Sequence, residues 1–364
     1  MIRKYNYSEY FSSIIGYTGP ISESEYTALH KKNEDYTQND TVGKAGLEQY
    51  YETYLRGKNG ERKFYIDNVG RISEIISSTD SVAGDDLYLS IDADLQMATY
   101  LALQNEIAAI VYSNIKSGEI PINDVYTALI GNSVINTEHF SKSKASDTEK
   151  SVLSVFKSRQ KTTLGKIKQE LTSSPEALNT MSDEVLDEFT YIISMLKDDQ
   201  VLLKNEIDTS DSVYQKWKDQ KISPKEYLNY CITQHWIDIS QLNVDEKYAD
   251  STEVYDALCK YILKNIKTDT EFSKIIYQYM ITRGEISPRQ LCLILFDQGV
   301  LDYDDATVNK LKNGSLSPRD FLMKKIYNIE ITPAQLALEP CTGSCVVTDR
   351  KNRGNSCHGK LSRI

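Results

Sequence analysis

Apolar positions between residues 118 and 340 recur with the period of an α-helix. Apolar side chains at i, i+3, i+4 and i+7 form one face of a helix, and such a face packs onto a core. The pattern predicts a large all-α domain over residues 118–340. The clearest helical segments are TEKSVLSVFKSRQKTTLGKIKQEL, SDEVLDEFTYIISMLK, STEVYDALCKYILKNI and DTEFSKIIYQYMI.

A short signal for a helix start recurs within this region. A hydroxyl residue precedes a proline at each site, so that the hydroxyl can cap the helix and the proline occupies the first turn. A glutamate or glutamine three residues after the cap predicts a full capping box. The weaker IPINDVY at Ile120 predicts a fifth start, but the spacing between copies varies too much for a regular solenoid. The four clear copies are ISPKEYL at Ser223, ISPRQLC at Ser287, LSPRDFL at Ser317 and ITPAQLA at Thr332, with Glu226, Gln290, Asp320 and Gln335 at the third helical position.

Residues 1–94 have a different pattern, in which short strand signals alternate with turn residues. KFYID followed by NVGR predicts a strand that ends in a turn, and DDLYLSID alternates Leu87, Leu89 and Ile91 on one face. Asp92 then predicts a helix N-cap, and the helix continues through LQMATYLALQNEIAAIVYSNIK. We therefore expect an α+β protein: an N-terminal mixed α/β domain, a large all-α domain and a C-terminal strand stub.

Composition narrows the possible functions. The net charge of −10 and the pI near 5.1 argue against a general nucleic-acid binder, which needs clustered lysine and arginine. The six cysteines and four histidines have no metal-ligand spacing, so we expect no metal and no cofactor. Neither a run of about 18 apolar residues nor a signal peptide occurs, which predicts a cytoplasmic chain without a membrane segment.

The most specific stretch is GKAGLEQYYETYLRGKNG, from Gly43 to Gly60. Its first glycines permit tight turns or a close backbone approach. A helix is expected to begin at Glu48, with Tyr51, Tyr54 and Leu55 on one face, and to end in the turn of the last two glycines. YIDNVGR and GDDLYLSIDADLQ follow in that order.

This ordered set resembles the non-catalytic pedestal, or dimerisation domain, of class B penicillin-binding proteins, and IIGYTGPIS ahead of it fits the same family. The resemblance implies a pedestal over residues 1–94 that acts through protein contacts. The positions that carry the motif, with expected structural roles, are Gly43, Gly46, Glu48, Leu55, Gly57, Gly60, Asp67, Gly70, Arg71, Gly84, Asp85 and Asp92.

The resemblance also divides the rest of the chain. It implies that residues 95–117 form the first helix of a transpeptidase domain, that residues 118–340 are a helical insertion, and that residues 341–349 are a strand stub of the transpeptidase domain. Implied partners are other cell-wall synthesis or division proteins. The family is membrane-anchored and extracytoplasmic.

Acyl transfer in this family needs an SxxK helix, an SxN loop and a KTG strand. SxN is absent, and KSG at Lys116 is expected to end a helix. We therefore expect a non-catalytic fragment. One alternative is that the intact parent is a penicillin-binding D,D-transpeptidase, and a second is an unrelated helical interaction module. SxxK occurs, as expected by chance, at Ser113, Ser141, Ser154, Ser158 and Ser194.

The basic tail, residues 350–364, predicts a shifted reading frame. Removing one adenine from a permitted codon choice for Arg350 to Ile364 converts the tail to RKTGEILAMVSYPG, which resembles the strand and hairpin that follow this point in the family. We therefore expect a truncation by a single inserted base, testable by reading the DNA.

Overall fold

The computed structural model describes residues 3–66, 71–173, 176–242, 244, 250–339, 342–348 and 355–361, with the side chains of 66 and 355–361 excepted. Asp67 and Gly70 of the motif lie outside these residues. The chain divides into two units, one of residues 1–107 with 341–364 and one of residues 108–340. The first mixes short helices and hairpins and the second is helical, which confirms the α+β class.

The N-terminal unit begins with four short helices and four strands. Strands β1 and β2 pair antiparallel, and β3 pairs with β4 in a hairpin that has two register shifts. The strand predicted over KFYID is confirmed as β3. In chain order the elements are α1 (Ser8–Ile15), β1 (Thr18–Pro20), α2 (Glu23–His30), β2 (Thr41–Gly43), α3 (Gly46–Tyr50), α4 (Glu52–Leu55), β3 (Glu61–Ile66) and β4 (Ile72–Thr79).

Two sequence predictions for this unit were wrong. The helix expected from Glu48 begins at Gly46 and is interrupted at Tyr51, whose φ of −105° and ψ of 20° lie outside the helical region. DDLYLSID forms no strand; its Leu87 and Leu89 are exposed. Alternation alone does not make a strand, because a strand also needs a neighbour for its hydrogen bonds, and the described residues supply none here.

Helix α5 (Ala93–Ser117) runs for 25 residues. The Asp92 carboxylate accepts a hydrogen bond from the Leu95 N–H at 2.8 Å, which confirms the predicted N-cap. Its C-terminal end, at Lys116 and Ser117, confirms that KSG ends a helix.

The second unit consists of helices joined by turns and by longer loops, which confirms the predicted all-α character. Its core is built from leucine, isoleucine and aromatic side chains, including a stacked Phe156–Tyr277 pair with ring centroids 4.1 Å apart. The helices are α6 (Ile122–Gly131), α7 (Asp147–Thr172), α8 (Asp183–Asp198), α9 (Ser212–Lys218), α10 (Pro224–Thr233), α11 (Ser251–Ile266), α12 (Thr270–Thr282), α13 (Pro288–Asp297), α14 (Asp305–Asn313), α15 (Pro318–Tyr327) and α16 (Pro333–Leu336).

All four clear helix starts are confirmed. Ser223, Ser287, Ser317 and Thr332 are N-caps whose hydroxyls accept the backbone N–H three residues on. Full capping boxes form at Ser287 and Thr332. The box expected at Ser223 is only half formed among the described residues, because Glu226 donates its N–H but its carboxylate does not reach back.

Three of these starts, Ser223, Ser287 and Ser317, belong to a repeated turn-helix-turn unit, whereas Thr332 begins only the four-residue α16. In each copy a residue with positive φ precedes the N-cap by three positions, a helix of 10 residues follows, and a second positive-φ residue ends the unit. IPINDVY, the fifth predicted start, supplies α6 and is one copy. The left-handed residues come in the pairs Gly118 and Ser133, Gln220 and His235, Gly284 and Gly299, and Gly314 and Ile329.

The predicted strand stub is present as β5 (Gly343–Thr348). It pairs antiparallel with β6 (Asn355–Leu361), which lies within the basic tail. A Cβ added at Gly343 would meet Leu103 and Ile107 at 3.1 and 3.2 Å, so β5 lies against the first half of α5.

Candidate functional site

The glycines of the motif lie where two backbone segments touch. Gly46 has a φ of 58°, and a Cβ there would lie 2.5 Å from the carbonyl oxygen of Ile14 in α1. At Gly43 a Cβ would lie 2.1 Å from the carbonyl oxygen of Glu48. Only glycine permits these approaches, so the first part of the motif holds α1, β2 and α3 together.

The second group of motif residues meets at one place although its members are far apart in sequence. Gly57 has a φ of 72°, and a Cβ there would lie 2.3 Å from the Val82 carbonyl oxygen. A Cβ at Gly84 would lie 2.2 Å from the carbonyl oxygen of Leu55. The Asp85 N–H donates to the Tyr54 carbonyl at 2.8 Å. The motif thus joins the end of α4 to the segment that follows β4.

Gly60, Arg71 and Asp92 lie at the edges of this arrangement. A Cβ at Gly60 would lie 2.7 Å from the Thr79 carbonyl oxygen, at the open end of the β3–β4 hairpin. Arg71 is exposed beside the start of β4, and Asp92 caps α5. The structure does not describe Asp67 and Gly70.

Glu48 is a buried carboxylate with a cationic partner. Its side chain is 8% exposed, and its Oε2 lies 3.3 Å from the Arg3 guanidinium. The Tyr5 hydroxyl lies 3.5 Å from Oε1 and accepts the Thr18 N–H at 3.1 Å. The carboxylate therefore fastens the N-terminal segment to α3 and β1.

Sequence reasoning missed Glu52, which is also buried. Its Oε2 accepts the Gly43 N–H at 2.7 Å, and its Oε1 lies 3.4 Å from the Tyr36 hydroxyl. The Arg56 guanidinium lies 3.7 Å from the centre of the Tyr36 ring and donates to Asp40 at 2.5 Å. Burial, followed by the nearby Glu52 carboxylate, raises the pKa of Tyr36. The four-residue spacing of Glu48, Glu52 and Arg56 was the available signal.

The motif glycines, together with the buried Glu48 and Glu52, form a scaffold beside an exposed hairpin made of β3 and β4. Every residue of β4 is exposed, and Phe64 and Ile75 are directly paired across the hairpin. A two-stranded hairpin without a cover is marginally stable in water. Exposed apolar side chains in such number are typical of an interaction surface. They are Phe64, Tyr65, Ile72, Ile75 and Ile76.

The SxxK serines are scattered over the helices, and all five are exposed. Ser113 lies on α5, Ser154 and Ser158 lie on α7, and Ser194 lies on α8; Ser141 ends a short 3₁₀ helix. Among the described residues, none forms a hydrogen bond with the lysine three positions on. By contrast, the buried groups around the motif glycines, Tyr36, Glu48 and Glu52, hold the backbone of the N-terminal unit in place.

Two other kinds of site are absent from the part of the chain that the structure describes. No three histidine, cysteine, aspartate or glutamate side chains are grouped so as to hold a metal ion. No helix there has the length and apolar character needed to cross a membrane.

The motif glycines lie in the part of the chain that is similar to known proteins. Residues 1–89 match the family model described as the penicillin-binding protein dimerisation domain. Peptidoglycan D,D-transpeptidase MrdA of Salmonella typhimurium is 32% identical over 120 residues, which are 32% of this chain and 19% of that protein. MrdA of Acinetobacter baumannii is 33% identical over 120 residues, 33% of this chain and 18% of that protein.

A third relative has a different name and comes from Bacillus subtilis. Penicillin-binding protein 3 of Bacillus subtilis is 37% identical over 118 residues, 32% of this chain and 17% of that protein. The matches thus span about a fifth of the length of the curated relatives.

Proposed function

We propose, from the match of residues 1–89 to the penicillin-binding protein dimerisation-domain family, that this chain is a non-catalytic piece of a class B penicillin-binding protein. Its role is in peptidoglycan synthesis and is exerted through protein contacts. The observation that carries this proposal is the family match over residues 1–89. The glycines and buried carboxylates that shape the same residues support it.

The exposed hairpin supports a contact role. Ile75 and Ile76 are each 55% exposed on β4. Covering these side chains with a partner would lower the free energy, because it removes apolar surface from water. The partners that fit the family are other proteins of cell-wall synthesis or division. The second unit, with 118–340 as a helical insertion, would carry further contacts.

We also propose that the longer parent is a D,D-transpeptidase, because the relatives carry that name. Residues 95–117 would be the first helix of its transpeptidase domain, and residues 341–349 its first strand. The parent would be anchored in the membrane and work outside the cytoplasm. The second alternative, an unrelated helical module, is disfavoured by the strands before residue 92 and by the family match.

The proposal that this chain is non-catalytic is tested with a fluorescent penicillin. The purified chain should stay unlabelled after denaturing electrophoresis, because each SxxK serine is exposed and none contacts its lysine among the described residues. Penicillin-binding protein 3 of Bacillus subtilis is the positive control. A covalent label on this chain that unlabelled penicillin blocks would contradict the proposal.

The contact role is tested separately in cells of the source organism. Cross-linking followed by mass spectrometry should recover proteins of peptidoglycan synthesis with the wild-type chain. Ile75→Asp with Ile76→Asp should reduce that recovery, whereas Ser77→Asp with Ser78→Asp, also exposed on β4, should not. Equal recovery of those proteins with both variants would show that the hairpin is not part of the contact surface.

A further inference from the structure

A groove of about 480 Å³ lies between α5 and α15 in the helical unit. It is open to solvent, and all of its lining residues belong to the helical unit. Its walls combine aromatic rings, a buried methionine and several cations. The lining residues are Tyr112, Lys116, Arg319, Asp320, Met323, Lys324 and Tyr327.

The charge of the groove is opposite to that of the whole chain. Three of the lining residues are cationic and Asp320 is the one carboxylate among them, whereas the chain carries a net charge of −10. Asp320 is already engaged, because its Oδ2 accepts the Ser317 hydroxyl at 2.7 Å in the N-cap of α15. The groove therefore presents a local excess of positive charge.

The cations differ in what they contact. The Arg319 guanidinium donates to the Ile115 carbonyl at 3.2 Å, near the end of α5, and so it helps to hold the two helices together. Lys116 and Lys324 are exposed and form no ion pair within the described residues. Their ammonium groups are available to a ligand.

The apolar part of the groove is built for a flat or long side chain. The Tyr112 and Tyr327 rings pack with centroids 5.2 Å apart, and Met323 beside them is only 6% exposed. Tyr327 nevertheless leaves 59% of its surface in water. An aromatic side chain placed on this ring pair would cover it, and methionine adapts well to such contacts.

We propose that this groove binds an acidic peptide segment of a partner protein, with an aromatic side chain on the tyrosine pair and flanking carboxylates at Lys116 and Lys324. The open shape fits a short peptide better than a small ligand, which is normally enclosed on most of its surface. Two free lysines are too few to release the counterions that drive binding to nucleic acid. The inference does not depend on the function proposed for the N-terminal unit.

The test uses the full chain and a fluorescein-labelled peptide of sequence Gly-Glu-Asp-Phe-Glu-Asp-Gly, with binding followed by fluorescence anisotropy at low salt. Lys116→Glu with Lys324→Glu should weaken binding by about 10-fold or more, because two attractions become repulsions. The matched control is Lys161→Glu with Lys168→Glu, which changes the net charge equally at exposed positions of α7. The control should leave the affinity unchanged.

The ring contact has its own matched pair of variants. Tyr327→Ala should weaken binding by about 5-fold, a loss typical of an exposed aromatic contact. Tyr303→Ala removes a ring of similar exposure, 62%, outside the groove and should have no effect. Thermal unfolding of each variant checks that the helical unit remains folded.

Several outcomes would overturn the proposal. One is equal binding of the peptide with glutamine and asparagine in place of its acids, and another is unchanged affinity in the lysine variant. Tighter binding of a ten-nucleotide oligothymidylate or of phosphatidylglycerol vesicles, lost in the lysine variant but not in its control, would assign the groove to a different class of partner. Absence of peptide binding at millimolar concentration would also contradict the proposal that the groove binds an acidic peptide.

Discussion

Before α5, the described part of the chain buries only two apolar side chains, Tyr36 and Val42, together with two carboxylates, Glu48 and Glu52. The helical unit instead buries leucine, isoleucine and phenylalanine side chains on nearly every helix. The first region is therefore shaped by backbone contacts at glycines and by charged hydrogen bonds. The second is shaped by apolar burial and helix caps, which are the usual sources of helical stability.

The difference shows why the two regions tolerate change differently. Burial of apolar area is non-directional, so a helical core accepts many apolar sequences of suitable volume. A backbone contact at glycine accepts no side chain at all, and a buried carboxylate accepts few replacements. The N-terminal unit should consequently be the more sensitive of the two to small substitutions.

The largest expected effect comes from two glycines with the same backbone angle. Gly57 and Gly284 have φ values of 72° and 73°, but a Cβ would lie 2.3 Å from the Val82 carbonyl oxygen at the first and would meet nothing within 4 Å at the second. Gly284→Ala should lower the free energy of unfolding by about 1–2 kcal/mol, the cost of the left-handed angle. Gly57→Ala should cost about 3 kcal/mol or more, because backbone must also move.

Chemical denaturation of both variants, with amide exchange of residues 54–60 and 280–288, measures the two costs in the regions concerned. Equal losses at the two positions would show that the close approach at Gly57 relaxes without cost. The contrast between the two units would then not rest on backbone contact.

The second effect tests a buried carboxyl group within the helical unit. Glu188 on α8 is 1% exposed; burial, followed by repulsion from Glu184, raises its pKa from 4.5 to about 8. Lys166 and Arg159 act in the opposite direction. The folded form thus holds a proton that the unfolded form has released, and the stability contributed by Glu188 is lost as the pH rises from 4.5 towards 8.

Glu188→Gln keeps the shape and removes the ionisation. Relative to wild type, this variant should gain about 2 kcal/mol of unfolding free energy between pH 6 and pH 8, measured by urea denaturation. Glu206→Gln, at an exposed position, is the control and should follow wild type at both pH values. A constant difference between Glu188→Gln and wild type would mean that Glu188 is ionised throughout.

Local chemistry made some features predictable from sequence. Ser223, Ser287, Ser317 and Thr332 cap helices because a hydroxyl followed by proline defines a helix start within four residues. Asp92 was predictable for a related reason. The close approaches at the motif glycines were expected in kind, although their contact partners were not.

Features that depend on distant residues were not predictable. DDLYLSID has the alternation of a strand but lacks a described neighbour to pair with. The Arg159 and Arg283 guanidinium groups meet Glu184 at 2.9 and 2.6 Å from two other helical segments, and no local pattern marks that meeting. Burial of Glu52 likewise follows from a fold in which β2 brings Gly43 beside it.

The third effect tests the buried carboxylate of the N-terminal unit. Glu52→Gln should lower the free energy of unfolding by about 1.5–2 kcal/mol, because it weakens charge-assisted hydrogen bonds from the Gly43 N–H and Tyr36 hydroxyl. Amide exchange at residue 43 should accelerate. The control is Glu61→Gln, an exposed change in the same unit, which should leave amide exchange at residue 43 unaltered. If exchange at residue 43 were also unaltered in Glu52→Gln, the hydrogen bond from the Gly43 N–H would not need a charged acceptor.

The smallest effect tests the caps of the helical unit. Ser287 accepts the Gln290 N–H at 3.3 Å and forms a full capping box, so Ser287→Ala should lower the free energy of unfolding by about 1 kcal/mol. Ser287→Gly should cost only a few tenths of that amount, about 0.3 kcal/mol, because glycine suits the cap position and leaves its amides accessible to water. Urea denaturation of the two variants side by side measures the contrast. If alanine cost no more than glycine, the repeated hydroxyl-proline starts would owe their stability to the buried apolar residues around them, such as Ile286 and Leu291, and the helical unit would depend on burial alone.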